Sequence, residues 1–270
     1  MSFIEMIKAA WKKNNSLVCV GLDPDLQKLP KHLLSQEFPI FDFTKSIVDA
    51  TADLVCAYKP QIAYYSAKTA ENQLEMTIQY IHQAYPGIPV ILDAKRNDIG
   101  STAAMYAEEA FLRYQADAIT VNPYLGQDGL DPFIKYKEKG VIVLCRTSNP
   151  GARQIQDLLV DGKKLYQRVA QLAVREWNYN KNILLVVGAT YPQELKEIRN
   201  IVSDMPLLVP GIGAQGGDVK EAVLNGKDSG GAGMIINASR SIIYASNDTN
   251  FSAAARKASQ DLRDQINEYR

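Results

Sequence analysis

Eight short runs rich in Val, Ile and Leu recur along the chain, at residues 17–20, 54–58, 89–92, 118–121, 141–145, 183–187, 207–209 and 234–236. The third, Pro89-Val90-Ile91-Leu92, has no polar face, as expected of a parallel strand covered on both sides. Each run precedes a segment with helical spacing, over 43–53, 68–84, 102–114, 131–139, 164–177, 192–203, 218–225 and 252–267. Such alternation builds a parallel sheet, and eight repeats of it close a barrel. The expected fold is therefore α/β, a single-domain (β/α)8 TIM barrel over residues 1–270, and the length suits one large core. An additional helix over 4–13 is expected to close the barrel's bottom. Ser101 or Thr102 is expected as the N-cap of the third helix, and Pro192 falls in the first turn of the sixth.

Charge enters the third run only at its C-terminal end, in Asp93-Ala94-Lys95-Arg96-Asn97-Asp98-Ile99-Gly100-Ser101-Thr102. Residues two apart on a strand share a face and lie roughly 6–7 Å apart, so Asp93 and Lys95 should project together. A lysine between carboxylates keeps its proton, which makes it an acid rather than a nucleophile. Taken alone, the cluster fits a solvated surface loop as well as a site. The buried strand before it favours a site, because parallel α/β folds work at the C-terminal ends of their strands.

Other strand ends add to that patch. Asp23 closes the first run, in Gly21-Leu22-Asp23-Pro24, and Lys59 closes the second, in Tyr58-Lys59-Pro60. Consecutive barrel strands are neighbours, so Lys59, Asp93, Lys95 and Asp98 are expected to form a charge-paired network with Asp23 close by. The seventh run leads into Pro210-Gly211-Ile212-Gly213-Ala214-Gln215-Gly216-Gly217-Asp218, and the eighth into Asn237-Ala238-Ser239-Arg240-Ser241. Loops in these two positions often hold a phosphate, although glycines also serve plain tight turns. Arg240 supplies a planar, two-pronged donor. Two loops are long: 24–42, with room for a short helix of its own, and 146–162, which contains Thr147-Ser148-Asn149-Pro150-Gly151-Ala152. The second is either a lid or surface decoration.

Composition narrows the partners. Thirty Lys plus Arg balance thirty Asp plus Glu, which gives no support to a nucleic-acid or anionic-membrane partner. No apolar run approaches the ~20 residues of a membrane span, and the N-terminus, with Glu5, Lys8, Lys12 and Lys13, does not read as a signal peptide. Cys19, Cys56 and Cys145 lie inside apolar runs without C-x-x-C spacing and read as reduced core residues, so the protein is expected to be soluble and cytoplasmic. The histidines, His32 and His82, lack ligand spacing and read as surface residues; no metal site is expected.

Together the motifs closely resemble the orotidine 5′-phosphate decarboxylase family, in its longer bacterial subgroup. The D-x-K-x-x-D-I-x-x-T core at 93–102 carries the resemblance, with Gly21-Leu22-Asp23, Tyr58-Lys59-Pro60, Thr147-Ser148-Asn149-Pro150-Gly151, the Gly-rich loop and Ser239-Arg240-Ser241-Ile242 in the family's order. The resemblance implies a dimeric barrel that converts orotidine 5′-phosphate to uridine 5′-phosphate and CO2 in de novo pyrimidine synthesis, without metal or organic cofactor. By the same resemblance Lys95 matches the proton donor and Asp93 lies beside the substrate carboxylate. Lys59 joins the network and reaches the ribose, and Asp23 binds ribose hydroxyls. Asp98 and Thr102 enter the site across the homodimer interface, Ser148 contacts the pyrimidine, and Gln215 and Arg240 hold the phosphate. Arg96-Asn97 and the longer first loop depart from shorter members and bear on the lid and the dimer edge.

Three other readings compete. A Mg²⁺-dependent decarboxylase of a sugar-acid phosphate with the same core would want an acidic ligand where Lys59 stands. A Schiff-base aldolase would need Lys95 with a depressed pKa, which flanking carboxylates oppose. A nucleotide-binding regulator without catalysis would have no use for the full set of charges.

Overall fold

The structure is a computed structural model that describes residues 1–212 and 218–270. Its strands are β1 (Val18–Leu22), β2 (Ala57–Pro60), β3 (Ile91–Arg96), β4 (Ala118–Val121), β5 (Gly140–Arg146), β6 (Ile183–Val187), β7 (Leu207–Pro210) and β8 (Met234–Ala238). All pair in parallel, in the order β2-β1-β8-β7-β6-β5-β4-β3. The last seam, between β2 and β3, has just two backbone bridges among the described residues, Tyr58 to Val90 and Gln61 to Asp93. The expected eight-stranded barrel is present, with its weakest seam beside Lys59 and Asp93.

The strands are buried on both faces because helices cover the outside and side chains fill the inside. β4 and β6 coincide with the apolar runs. β1, β3 and β8 extend two to four residues further, because backbone pairing continues past the apolar runs, through Gly21-Leu22, the charged end of β3 and Asn237-Ala238. The helices Pro39–Thr51, Glu71–Ala84, Pro192–Val202, Val219–Gly226 and Phe251–Asn267 lie close to their expected places. Pro192 occupies the first turn, where its missing N–H has no bond to lose.

Two expectations need correction. Neither Ser101 nor Thr102 caps the third helix: it spans Gly100–Glu108, and its N-cap is Ile99, which offers no side-chain bond. The expected helix over 131–139 is instead Gln127–Ile134. Its end is set from outside, since the buried Asn182 amide donates to the carbonyls of Ile134, Tyr136 and Lys139 at 3.1, 3.3 and 3.0 Å. Those bonds satisfy orphan carbonyls and turn the chain away from helical continuation.

The N-terminal helix Phe3–Lys13 does close the bottom. A capping box fixes its start, with Ser2 N–H donating to Glu5 Oε2 at 2.8 Å and Glu5 N–H to Ser2 Oγ at 3.4 Å. Phe3 then packs on Gly140, the first residue of β5, so closely that an added Cβ would lie 2.4 Å from the Phe3 ring and 2.9 Å from Ala118 Cβ. Beside it Asp117 ties β3 to β4 by accepting from Val90 N–H at 2.9 Å, and it pairs with His82 at 2.9 Å. His82 is therefore half-buried, whereas His32 is exposed as expected.

Gly140→Ala should lower stability by about 1–3 kcal/mol through overpacking while leaving any activity at the opposite end intact. Thermal unfolding of wild type and variant checks this; an unchanged melting temperature would show that Phe3 moves aside freely.

Candidate active site

Sequence alternation alone does not bring Asp93 and Lys95 together; a bulge does. β3 matches β4 at Leu92 to Ile119 and next at Arg96 to Val121, so four steps on β3 span two on β4. The surplus residues swell outward, and Lys95 adopts φ +47°, a left-handed conformation that side chains rarely take. Thr120 of β4 holds the bulge, its Oγ1 accepting from the amides of both Ala94 and Lys95 at 3.0 Å. The same hydroxyl donates to Asp93 Oδ1 at 2.8 Å.

Around Asp93 the charges alternate in sign. Lys59 Nζ donates to Asp93 Oδ2 at 2.8 Å, and Lys95 Nζ donates to Oδ1 at 2.7 Å. Lys59 and Asp93 are almost fully buried, 4% and 8% exposed, whereas the Lys95 side chain remains about half exposed (48%) at the mouth. Burial by itself would raise the Asp93 pKa, but the two ammonium groups outweigh it and hold the carboxyl well below the usual range. Burial would likewise strip Lys59 of its proton; Asp93, with Asp23 behind it, reverses the sign and keeps Lys59 protonated.

Asp23 stands at the end of β1, and its Oδ1 is buried without a hydrogen-bond partner among the described residues. Two more orphans sit beside it at the end of β8, Asn237 Oδ1 and Ser239 Oγ. Gly21 makes room for them: a Cβ there would lie 2.7 Å from Ser239 Cβ and 3.3 Å from Asn237 Oδ1. Three unsatisfied buried oxygens in one corner suit a ligand that brings hydroxyl donors.

The remaining candidates divide. Asp98 does not join the network among the described residues; its Oδ1 accepts from the next amide, Ile99 N–H, at 2.8 Å, and no ion pair among those residues links it to a lysine. Thr102 is exposed on the outer helix. Ser148 follows β5, pressed by Gly188, where a Cβ would lie 2.9 Å from Ser148 Cβ. Arg240 is exposed and opens the short helix Arg240–Ile243 after β8. Gln215 lies outside the described residues. The long fifth loop is folded, with turns at Pro150–Ala152 and Arg153–Gln156 and a two-stranded ribbon at Leu159–Val160 and Lys163–Lys164. The first long loop carries two single 3-10 turns, Leu26–Lys28 and Lys31–Leu33.

The family model described as "Orotidine 5′-phosphate decarboxylase / HUMPS family" matches residues 16–257, from β1 into the last helix. The chain belongs to that family. It is 60% identical over 270 residues to an orotidine 5′-phosphate decarboxylase of Dechloromonas aromatica, and 59% identical over 270 residues to one of Ralstonia nicotianae, covering each chain completely. Among solved structures, the OMP decarboxylase of Leishmania donovani superposes with a TM-score of 0.86 at 37% identity, over 100% of this chain and 98% of that one.

Sequence reasoning passed over Thr120, which organises this family's core motif here. Its signal was available: a lone hydroxyl inside the otherwise apolar Ala118-Ile119-Thr120-Val121. Arg96, set aside as a departure, pins the motif outward, with Nε and Nη2 donating to Glu109 at 2.9 and 3.0 Å and the guanidinium lying over Tyr106. A cavity of about 640 Å³ opens elsewhere, between the fifth loop and the helix Leu165–Leu172, and none of the network residues lines it.

The depressed Asp93 pKa fixes a pH dependence. Between the folded and unfolded pKa values the unfolded chain binds the extra proton, so this stabilisation is present above the unfolded value of about 4 and fades as pH falls through the folded one. Asp93→Asn should lower stability at pH 7 by about 3–5 kcal/mol, since two lysines then face a neutral amide, and should flatten the acid limb of the stability curve. Denaturant unfolding from neutral pH to about pH 3 checks both; an unchanged acid limb in the variant would contradict the assignment.

Proposed function

We propose that this protein decarboxylates orotidine 5′-phosphate to uridine 5′-phosphate and CO2 in pyrimidine biosynthesis, with Lys95 as the proton donor to C6 and no metal or organic cofactor. The observation that carries the reading is the carboxylate of Asp93 bonded on both oxygens by Lys59 and Lys95. A site built for Mg²⁺ would need that carboxylate for the metal, and here cations already occupy both oxygens. An aldolase lysine would need its amine free to attack a carbonyl, whereas Lys95 Nζ is engaged by Asp93 Oδ1 at 2.7 Å.

The chemistry follows from charge. When the bond from C6 to the carboxylate breaks, its electron pair stays on C6, which the ring delocalises poorly. A fixed ammonium aimed at that carbon stabilises the developing charge. Lys95 then transfers its proton to C6 and is reprotonated from water. Asp93, next to the departing carboxylate, disfavours the bound substrate and is relieved as CO2 leaves. Lys59 holds Asp93 ionised and reaches the ribose, while Asp23 accepts from ribose hydroxyls at the corner where its Oδ1 lacks a partner. Arg240 and Gln215 take the phosphate, and Ser148 meets the pyrimidine as its loop closes.

We further infer a homodimer in which Asp98 and Thr102 complete the partner's site. Asp98 turning away from its own network, and Thr102 facing outward, support that reading. No helix among the described residues is long and apolar enough to cross a membrane. Three buried free thiols suit a reducing compartment, and we place the enzyme in the cytoplasm.

Ultraviolet absorbance of wild type and Lys95→Ala with orotidine 5′-phosphate in EDTA tests the reaction. Wild type should consume the orotate chromophore and the variant should be slower by at least ~10²-fold. An inactive wild type that turns over another sugar phosphate with Mg²⁺ would assign it to the metal-dependent chemistry. Shared sites predict complementation: inactive Lys95→Ala and Asp98→Ala, unfolded and refolded together, should recover about a quarter of wild-type sites through mixed dimers. Activity no higher than that of the separate variants would place Asp98 and Lys95 in the same subunit's site.

A further inference from the structure

Tyr244 lies outside every motif discussed so far. It is the C-cap of the short helix that Arg240 opens, and its amide bonds back to the Arg240 carbonyl at 3.3 Å. Its hydroxyl crosses to the loop after β1, where it donates to the Asp23 carbonyl at 2.8 Å and accepts from Asp25 N–H at 2.6 Å. The ring is held independently, stacked on Phe43 at 5.9 Å with Lys28 over its face at 5.5 Å.

These contacts join two segments more than 200 residues apart in sequence. One carries Asp23, whose buried Oδ1 has no partner among the described residues; the other carries Arg240. Proline at 24 removes one backbone donor from the Asp23 segment, so few local bonds can fix it. We propose that the Tyr244 hydroxyl is a positioning group, which clamps the backbone around Asp23 to the Arg240 helix and so fixes the ribose-binding carboxylate relative to the phosphate-binding guanidinium. The inference rests on the roles assigned to Asp23 and Arg240 in the proposed function.

Phe43 stacking supports a phenylalanine as well as a tyrosine, so Tyr244→Phe removes the clamp and keeps the packing. Calorimetric titration with uridine 5′-monophosphate and with its 2′,3′-dideoxy analogue reads the effect. In Tyr244→Phe the monophosphate should bind about tenfold more weakly, while the analogue, which offers Asp23 nothing, should change by less than about twofold. The same substitution in an Asp23→Ala background should have no further effect on the discrimination between the two ligands.

Equal losses on both ligands would make Tyr244 a general scaffold residue and overturn the inference, as would unaltered binding or failure of the variant to fold. Additive effects with Asp23→Ala would do the same. A wild type that binds the two ligands alike fails at an earlier point, removing Asp23 from the ribose site and this inference with it. A wild type that discriminates keeps that premise and isolates the test to Tyr244.

Discussion

A buried carboxylate that must stay ionised is the constraint on which the mouth of this barrel depends. Asp93 is nearly excluded from water, and an unpaired charge there would be untenable. It survives because one hydroxyl and two ammonium groups converge on it from three adjacent strands: Thr120 from β4, Lys59 from β2 and Lys95 from β3 itself. Each contributor imposes a further condition. Lys95 reaches back only because the bulge puts it at positive φ, and the bulge persists only because Thr120 takes its two free amides. The β2–β3 seam, joined by two isolated bridges, is tied a third time by the Lys59–Asp93 pair. The charge network at the mouth and the closure of the barrel therefore share one group.

The fold was legible because parallel strands covered on both faces must be apolar throughout, and helices between them must repeat every three to four residues. Such patterns survive in one dimension. Strand ends were less legible: β3 runs on to Arg96 because backbone pairing ignores the side-chain polarity that marked its end at Leu92. The helix near 131 was displaced by Asn182, a residue about fifty positions away whose amide terminates it. At the site, charge and strand position pointed to Asp23, Lys59, Asp93 and Lys95. What the sequence concealed were relations between distant neutral groups, such as Thr120 under the bulge and Tyr244 against Asp23, which carry no charge and repeat no motif. Asp98 marks the opposite case: its charge was conspicuous, but nothing in a single chain's sequence says that its carboxylate turns to its own backbone.

The base of the loop that carries Ser148 uses a second buried charge. Arg146, 1% exposed, pairs with Glu194 at 2.6 Å and lies over the rings of Tyr166 and Tyr191. Gln156 then grips Thr147 twice, accepting from its N–H and donating to its hydroxyl, both at 2.9 Å. Arg146 also donates to the Gln156 side chain, so the two ends of the segment 147–156 are fastened to one cation. A loop fastened in this way has its freedom confined to the stretch between the fasteners. Ser148 sits immediately beside one of them, against Gly188, so closure of the loop carries its tip further than it carries Ser148.

The two ends of the barrel solve opposite problems with similar residues. At the bottom, Asp117 lies 3.8 Å from Lys139 Nζ and 2.9 Å from the His82 ring, and its Oδ2 accepts from the amide of Val90. Through Oδ2 that carboxylate serves backbone pairing and the His82 ring. At the mouth, Lys95 leaves half of its side chain open to solvent, and Asp23, Asn237 and Ser239 retain unsatisfied oxygens. Burial and charge are common to both clusters, so neither distinguishes a functional site from a structural one. What marks the mouth is a group of orphaned oxygens at the ends of the neighbouring strands β1 and β8, on Asp23, Asn237 and Ser239, together with a charge network whose Lys95 ammonium is still open to solvent.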